Sequence, residues 1–157
     1  VYPGTCFFEG TNISEGRGTT KPFEQFGAPF IDGSQLAKTL NGLNLPGVGF
    51  RPVFFQPTTG KYADEICQGV QVHVLNRTVF DPLCTGLEAL ATVRRLYPEA
   101  FSWRIPQGGI HNFDRLAGTD LIRNALDRDL PVAELLSSWA DELQSFAEIR
   151  HRYLAYA

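Results

Sequence analysis

The sequence lacks most of the features that announce a particular chemistry. Its three cysteines, Cys6, Cys67 and Cys84, are odd in number and share no CxxC spacing, which argues against a disulfide framework and against a zinc site. A single Cys6–Cys67 bridge is left open, although small buried hydrophobes are the commoner role of such residues in strand-like runs. No apolar run approaches the roughly 20 residues of a membrane span. A net charge of −3 with interspersed signs leaves no basic footprint for nucleic acid. No serine stands in a nucleophile elbow, and Gly16-x-Gly18 is too short for a phosphate-cradling loop of the P-loop or Rossmann type. Internal repeats, low-complexity segments and an internal domain boundary are also missing. Neither a metal nor a cofactor is expected.

What is present is one domain's worth of core. At 157 residues and 43% hydrophobic, residues 1–157 can bury a core without disulfides or metal. The first run, Thr5 to Phe8, is strand-like and starts almost at once, as in a truncated or cleaved chain, and no signal peptide precedes it. Ser34 to Leu43 places Leu36, Leu40 and Leu43 on one helical stripe, with Asp32 or Ser34 as cap. Phe50 to Gln56 is rich in β-formers and closed by Pro57-Thr58-Thr59-Gly60. Val70 to Leu75 alternates like a half-buried strand, with Gln71 and His73 on the polar face.

Asp81-Pro82 marks a helix start, continued by Leu87, Leu90, Val93 and Tyr97 as far as Pro98. Trp103, Pro106 and Gly108-Gly109 give Phe101 to Ile110 the character of an extended strand and a loop. Asn112 to Leu116 reads as a helical turn and Thr119 to Leu126 as a helix. From Pro131 onward, Leu135, Trp139, Leu143, Phe146, Ile149 and Tyr153 recur at three- and four-residue steps, the pattern of one amphipathic helix of about six turns packed on the rest. Without regular βαβ alternation the expected class is α+β, a mixed sheet with several packed helices.

The stretch least suited to a core is Phe7-Phe8-Glu9-Gly10-Thr11-Asn12-Ile13-Ser14-Glu15-Gly16-Arg17-Gly18-Thr19-Thr20. Three glycines separate two acids, an amide, hydroxyls and a guanidinium, and glycine permits positive φ and close backbone approach. Pro22-Phe23-Glu24-Gln25-Phe26-Gly27-Ala28-Pro29-Phe30 then adds aromatics to a second irregular segment. The composition predicts an ordered loop with aromatic walls, exposed on one face of the domain.

This stretch resembles the signature of the exo-β-N-acetylmuramidase family, formerly a domain of unknown function and linked to peptidoglycan turnover. The resemblance extends through Cys67-Gln68-Gly69-Val70-Gln71-Val72-His73-Val74, Phe80-Asp81-Pro82, Tyr97-Pro98, Phe113-Asp114-Arg115-Leu116-Ala117-Gly118, Trp139 and Arg152-Tyr153-Leu154, and so covers the whole chain. It implies the C-terminal part of a two-domain bacterial glycoside hydrolase, behind an N-terminal Rossmann-like domain that these residues do not include. It also implies a muramic-acid-containing glycan and that N-terminal domain as partners, and a periplasmic or secreted location.

Under that resemblance Glu9 and Glu15 are the candidate catalytic carboxylates, because glycosidases commonly use two carboxyl groups roughly 5 to 10 Å apart. Six residues of extended chain would hold them about 20 Å apart, so the loop must fold back at Gly10. Two other readings stand beside this one. Either acid can tie the loop down by pairing with Arg17, or the N-terminal domain supplies the acid while this loop closes the cleft and binds the sugar. Arg17 suits the lactyl carboxylate of muramic acid. Asn12, Ser14, Thr19 and Thr20 suit hydroxyl and acetamido groups, and Phe23 or Phe26 a pyranose face. Turn-forming hydrogen bonds and core packing are the competing roles for these residues. His73 enters the substrate-binding set because the family string contains it. The alternative function is a non-catalytic sugar- or cell-wall-binding module.

Overall fold

The computed structural model describes residues 1–105 and 108–156. Pro3 lies in the first turn of α1 (Tyr2–Thr5), where its fixed φ and missing N–H cost nothing. The chain continues directly into a 3₁₀ helix, Cys6–Gly10. The expected strand at Thr5 to Phe8 is therefore helical. Its two phenylalanines are not laid out on alternate faces of a pleat: Phe8 stacks on Phe26 with ring centroids 4.3 Å apart, and Phe7 tilts against Phe113 at 5.3 Å.

Among the described residues three strands follow, β1 (Gln25–Ala28), β2 (Val48–Phe55) and β3 (Cys67–Val74), in the order β1-β3-β2. Both pairings are antiparallel, with Gly27 opposite Gly69 and Phe50 opposite Val72. A mixed sheet was expected. The segment from Gln56 to Ile66 contains no crossover helix, and without one β2 and β3 can only pair antiparallel. The α+β class holds. Gln71, on the supposed polar face of β3, is buried and accepts a hydrogen bond from Arg51 Nη2 at 2.6 Å.

Helix α2 (Gly33–Gly42) begins one residue before the expected Ser34, and of the two candidate caps Asp32 serves, its carboxylate accepting from the backbone N–H of Ser34 and Gln35. Helix α3 (Pro82–Leu96) is capped by Asp81 in the same way through Cys84 N. Leu36, Leu40, Leu87, Leu90 and Val93 carry these helices into one core with Phe8, Ile13, Phe26, Val70 and Phe113. Trp103 forms an isolated antiparallel bridge with Thr11, while Pro106 lies outside the described residues. Helices α4 (Asn112–Ala117) and α5 (Leu121–Asp127) close that side. All three cysteines are free thiols, and burial pushes Cys67 up to about 11.

The C-terminal periodicity resolves into two helices, α6 (Val132–Ser137) and α7 (Ala140–His151). The hydroxyls of Ser137 and Ser138 donate to the carbonyls of Glu134 and Leu135, and Trp139 N bonds Leu136 O three residues back. This tightened turn interrupts the helix. Val132 and Leu135 of α6 are buried, but α7 buries nothing: Leu143, Phe146 and Ile149 are 59%, 60% and 51% exposed. The apolar stripe is real and leaves the core at Trp139.

Two truncations separate these environments. Phe8→Ala removes a fully buried stacked ring and is expected to cost about 3–5 kcal/mol. Phe146→Ala is expected to change stability by no more than about 0.5 kcal/mol. Urea unfolding of the domain measures both, and comparable losses would place α7 back in the core.

Candidate functional site

The backbone of the signature loop is fixed first. Gly16 and Gly18 both adopt left-handed φ, +79° and +78°, and bracket Arg17. A Cβ on Gly18 would lie 2.6 Å from the Thr59 carbonyl oxygen, so a side chain there would meet both a steric and a conformational penalty. The Gly18 carbonyl accepts from Thr58 N and Thr58 Oγ1 at 2.9 and 3.0 Å. The loop is thus sewn to the turn that leads into Lys61. Ser14 exchanges two backbone hydrogen bonds with Gly27, continuing the sheet edge, and Phe23 N donates to Glu15 O at 2.7 Å. That last bond accompanies a left-handed backbone at Phe23 itself, φ +66°.

A chain of alternating charges runs outward from the core. Lys61 Nζ donates to the carbonyls of Phe8 and Ile13, each at 2.8 Å, and to Glu15 Oε2 at 2.9 Å. The other Glu15 oxygen meets Arg17 Nε at 3.4 Å, and Arg17 Nη2 meets Glu9 Oε1 at 3.3 Å. The side chains of Glu15 and Lys61 are 7% and 18% exposed, against 52% for Arg17. The Arg17 guanidinium lies 4.7 Å from the centroid of the Phe23 ring, within cation–π reach, and Tyr2 packs edge-on against that ring. Burial pushes the Lys61 ammonium below its ordinary pKa, with Glu15 opposing and Arg104 assisting the shift.

The loop has therefore folded back, and Glu9 and Glu15 converge on one guanidinium. Both oxygens of Glu15 are occupied, whereas Glu9 keeps Oε2 without a partner among the described residues. The segment is not uniformly superficial: Thr11, Ile13, Ser14 and Glu15 are buried, and Arg17 and Thr20 are exposed. Asn12 spends its amide within the fold, donating to Ala100 O at 2.7 Å and accepting from Ser102 N at 2.9 Å. Ser14 Oγ accepts from Gly16 N, and Thr19 Oγ1 donates to Gly16 O while accepting from Lys21 N and Gln25 Nε2. His73 lies on β3 opposite Gly49. No hydrogen bond or ion pair among the described residues joins it to the loop, and its buried Nε2 has no partner among them.

Reading the sequence alone missed Lys61, Tyr62, Ser102 and Arg104. With Thr11 and Asn12 they line a cavity of about 490 Å³ beside the charge chain. Tyr62 Oη donates to Asn12 O at 2.8 Å, and Arg104 N donates to Gly10 O at 2.8 Å. A motif such as Thr59-Gly60-Lys61-Tyr62 carries no signal for this, because its partners are mostly main-chain carbonyls about fifty positions away. Among the described residues no cluster of three or more His, Cys, Asp or Glu could hold a metal ion.

Replacing Lys61 by methionine keeps the volume but strands the Glu15 carboxylate and two buried carbonyls. Lys61→Met is expected to cost about 3–5 kcal/mol in chemical denaturation. Adding Glu15→Gln should recover part of that loss, with a coupling of about 0.5–3 kcal/mol between the two sites. Strict additivity would mean that the pair does not interact.

The comparisons with known proteins agree with one another. The family model for exo-beta-N-acetylmuramidase NamZ, C-terminal, matches residues 1–156. The peptidoglycan beta-N-acetylmuramidase NamZ of Bacillus subtilis is 47% identical over 156 residues, which are 99% of this chain and 37% of that protein. The chain therefore spans little more than a third of the length of this curated relative. A crystal structure of a DUF1343 family protein from Bacteroides fragilis superposes with a TM-score of 0.87 at 27% identity, covering 99% of this chain and 41% of that one. A second DUF1343 structure from the same organism, at 24% identity over 99% and 39% of the two chains, shares the fold with a TM-score of 0.69. Matched from its first residue to the last but one, the chain belongs to the family of NamZ exo-β-N-acetylmuramidase C-terminal domains.

Proposed function

We propose that the chain is the cleft-forming C-terminal domain of an exo-acting glycoside hydrolase that releases terminal N-acetylmuramic acid from peptidoglycan fragments. In this reading the enzyme works outside the cytoplasmic membrane, where its substrate lies. The observation that carries the reading is the Arg17 guanidinium: half exposed, braced by two carboxylates and laid against Phe23. Glu9 and Glu15 draw on its Nη2 and Nε, and Nη1, which has no partner among the described residues, is the donor left for the lactyl carboxylate of a muramyl residue. A charge-assisted hydrogen bond of this kind contributes about 1.5–3 kcal/mol.

The exposed Thr20 and the half-buried Phe23 complete the sugar contacts. Ser14 and Thr19 act one layer behind as turn-forming groups that hold the loop, and Asn12 as its tie to Ala100 and Ser102. His73 stands apart from this cluster, and its substrate-binding role has no geometric support. With both Glu15 oxygens engaged, the acid that protonates the leaving oxygen comes from the N-terminal domain of the same protein, and Glu15 positions Arg17. Glu9, with one oxygen open, is the carboxylate of this domain able to face the reacting bond. The same engagement of carboxylates favours a second reading for the domain in isolation, a sugar-binding module that does not cleave.

The test uses the full-length protein. Arg17→Lys keeps the charge and loses the planar brace, and kcat/KM on a chromogenic muramide is expected to fall about ten- to a hundredfold. Arg17→Ala should fall at least as far. On a muramide with an amidated lactyl group both penalties should largely disappear. Equal losses on the two substrates, or a collapsed melting temperature, would make Arg17 a structural tie between Glu9 and Glu15.

A further inference from the structure

The cavity beside Lys61 is built more firmly than a surface depression requires. Its walls come from three separated segments, around Asn12, Tyr62 and Ser102–Arg104. Asn12 fastens all three: its side chain bonds Ala100 O and Ser102 N, its N–H donates to Ser102 O at 3.0 Å, and its carbonyl accepts the Tyr62 hydroxyl. Tyr62 therefore presents a ring of fixed orientation, and a fixed aromatic face suits the C–H face of a pyranose.

The charge of the cavity is one-sided. Lys61 contributes an ammonium whose three donors are taken by Phe8 O, Ile13 O and Glu15. Arg104 contributes a guanidinium that makes no ion pair and no side-chain hydrogen bond among the described residues, and no carboxylate lines the space. Its backbone alone serves the fold, through Gly10 O and Asn112 N. An open fork beside an oriented ring and fixed polar walls fits a sugar that carries a carboxylate. The position is informative too, because a single carboxylate, Glu15, separates Lys61 of this cavity from Arg17.

We propose that this cavity is a second glycan subsite, in which Arg104 grips a carboxylate borne by the chain beyond the scissile bond and Tyr62 packs against a sugar face. The assignment rests on the muramidase reading of Arg17 given above, and it adds a determinant for chain length and charge. The carboxylate can come from the lactyl group of a further muramyl unit or from a peptide attached to it. Both present the same planar oxyanion.

The experiment takes the full-length protein and its Arg104→Gln and Arg104→Lys variants. KM is measured for a muramyl-containing tetrasaccharide with free lactyl groups, its carboxyl-reduced form and its peptide-bearing form, as the apparent binding strength, and turnover on a single chromogenic muramide. Arg104→Gln is expected to weaken binding of an acidic tetrasaccharide about tenfold or more. The penalty should shrink for Arg104→Lys and vanish on the reduced chain, and the single muramide should be turned over within about twofold of wild type. Loss confined to the lactyl form or to the peptide form identifies the source of the carboxylate. An equal loss on the reduced chain, an equal loss on the single muramide, or no loss at all would overturn the subsite. Wild-type protein that turns over no muramide would refute the glycosidase reading itself, independently of Arg104. Thermal unfolding of both variants checks that the fold is intact.

Discussion

One partly buried ammonium organises this domain's irregular half. Lys61 reaches back some fifty residues and ends between two main-chain carbonyls and a carboxylate. The carbonyls belong to Phe8, in the 3₁₀ helix, and to Ile13, in the bend beyond it, so the amine staples the two limbs of the loop together. Desolvating a lysine is expensive, and it is tolerable here because every donor finds an acceptor. Removing any one of those acceptors would turn a tie into a penalty.

From that point alternating charges link an inner pair, Lys61 and Glu15, to a more exposed outer pair, Arg17 and Glu9. Their contributions differ accordingly. The inner pair is shielded from solvent and salt, whereas the outer Arg17–Glu9 contact, at half exposure, adds little to stability. What the outer contact supplies is position: the guanidinium is held between Glu9 and Glu15, 4.7 Å from the centroid of the Phe23 ring. Gly16 and Gly18 let the chain turn on both sides of Arg17 without strain. The rigid part of the domain thus serves a side chain that contributes little to its stability.

Local rules written into the sequence survived folding well. The carboxylate caps at Asp32 and Asp81, the start of α3 at Pro82 and the strand through Val70 and Val72 were all legible, because each depends on residues within a few positions of one another. Long-range partners were not. Lys61 answers to Phe8, Ile13 and Glu15, and nothing in its neighbours announces that. The hydroxyls of Ser14 and Thr19 and the amide of Asn12 drew attention as ligand-binding groups, and the fold spends them on turns and on the backbone of Ala100 and Ser102. A polar side chain in a glycine-rich loop has both uses, and composition does not choose between them. The C-terminal stripe failed for a different reason. A three- and four-residue period reports an apolar face but not its partner, and the adjacent serines at 137 and 138 were the only local hint that the helix would break at Trp139.

That unpartnered face gives the domain the character of a weak surfactant. With an acidic surplus of only three charges to keep copies apart and Leu143, Phe146 and Ile149 aligned on one side of α7, its colloidal behaviour follows from the balance between the two. Salt screens the repulsion and strengthens the pull of the apolar stripe. On its own the domain should be retained by a phenyl matrix and should associate as ionic strength and concentration rise, well before its core begins to open.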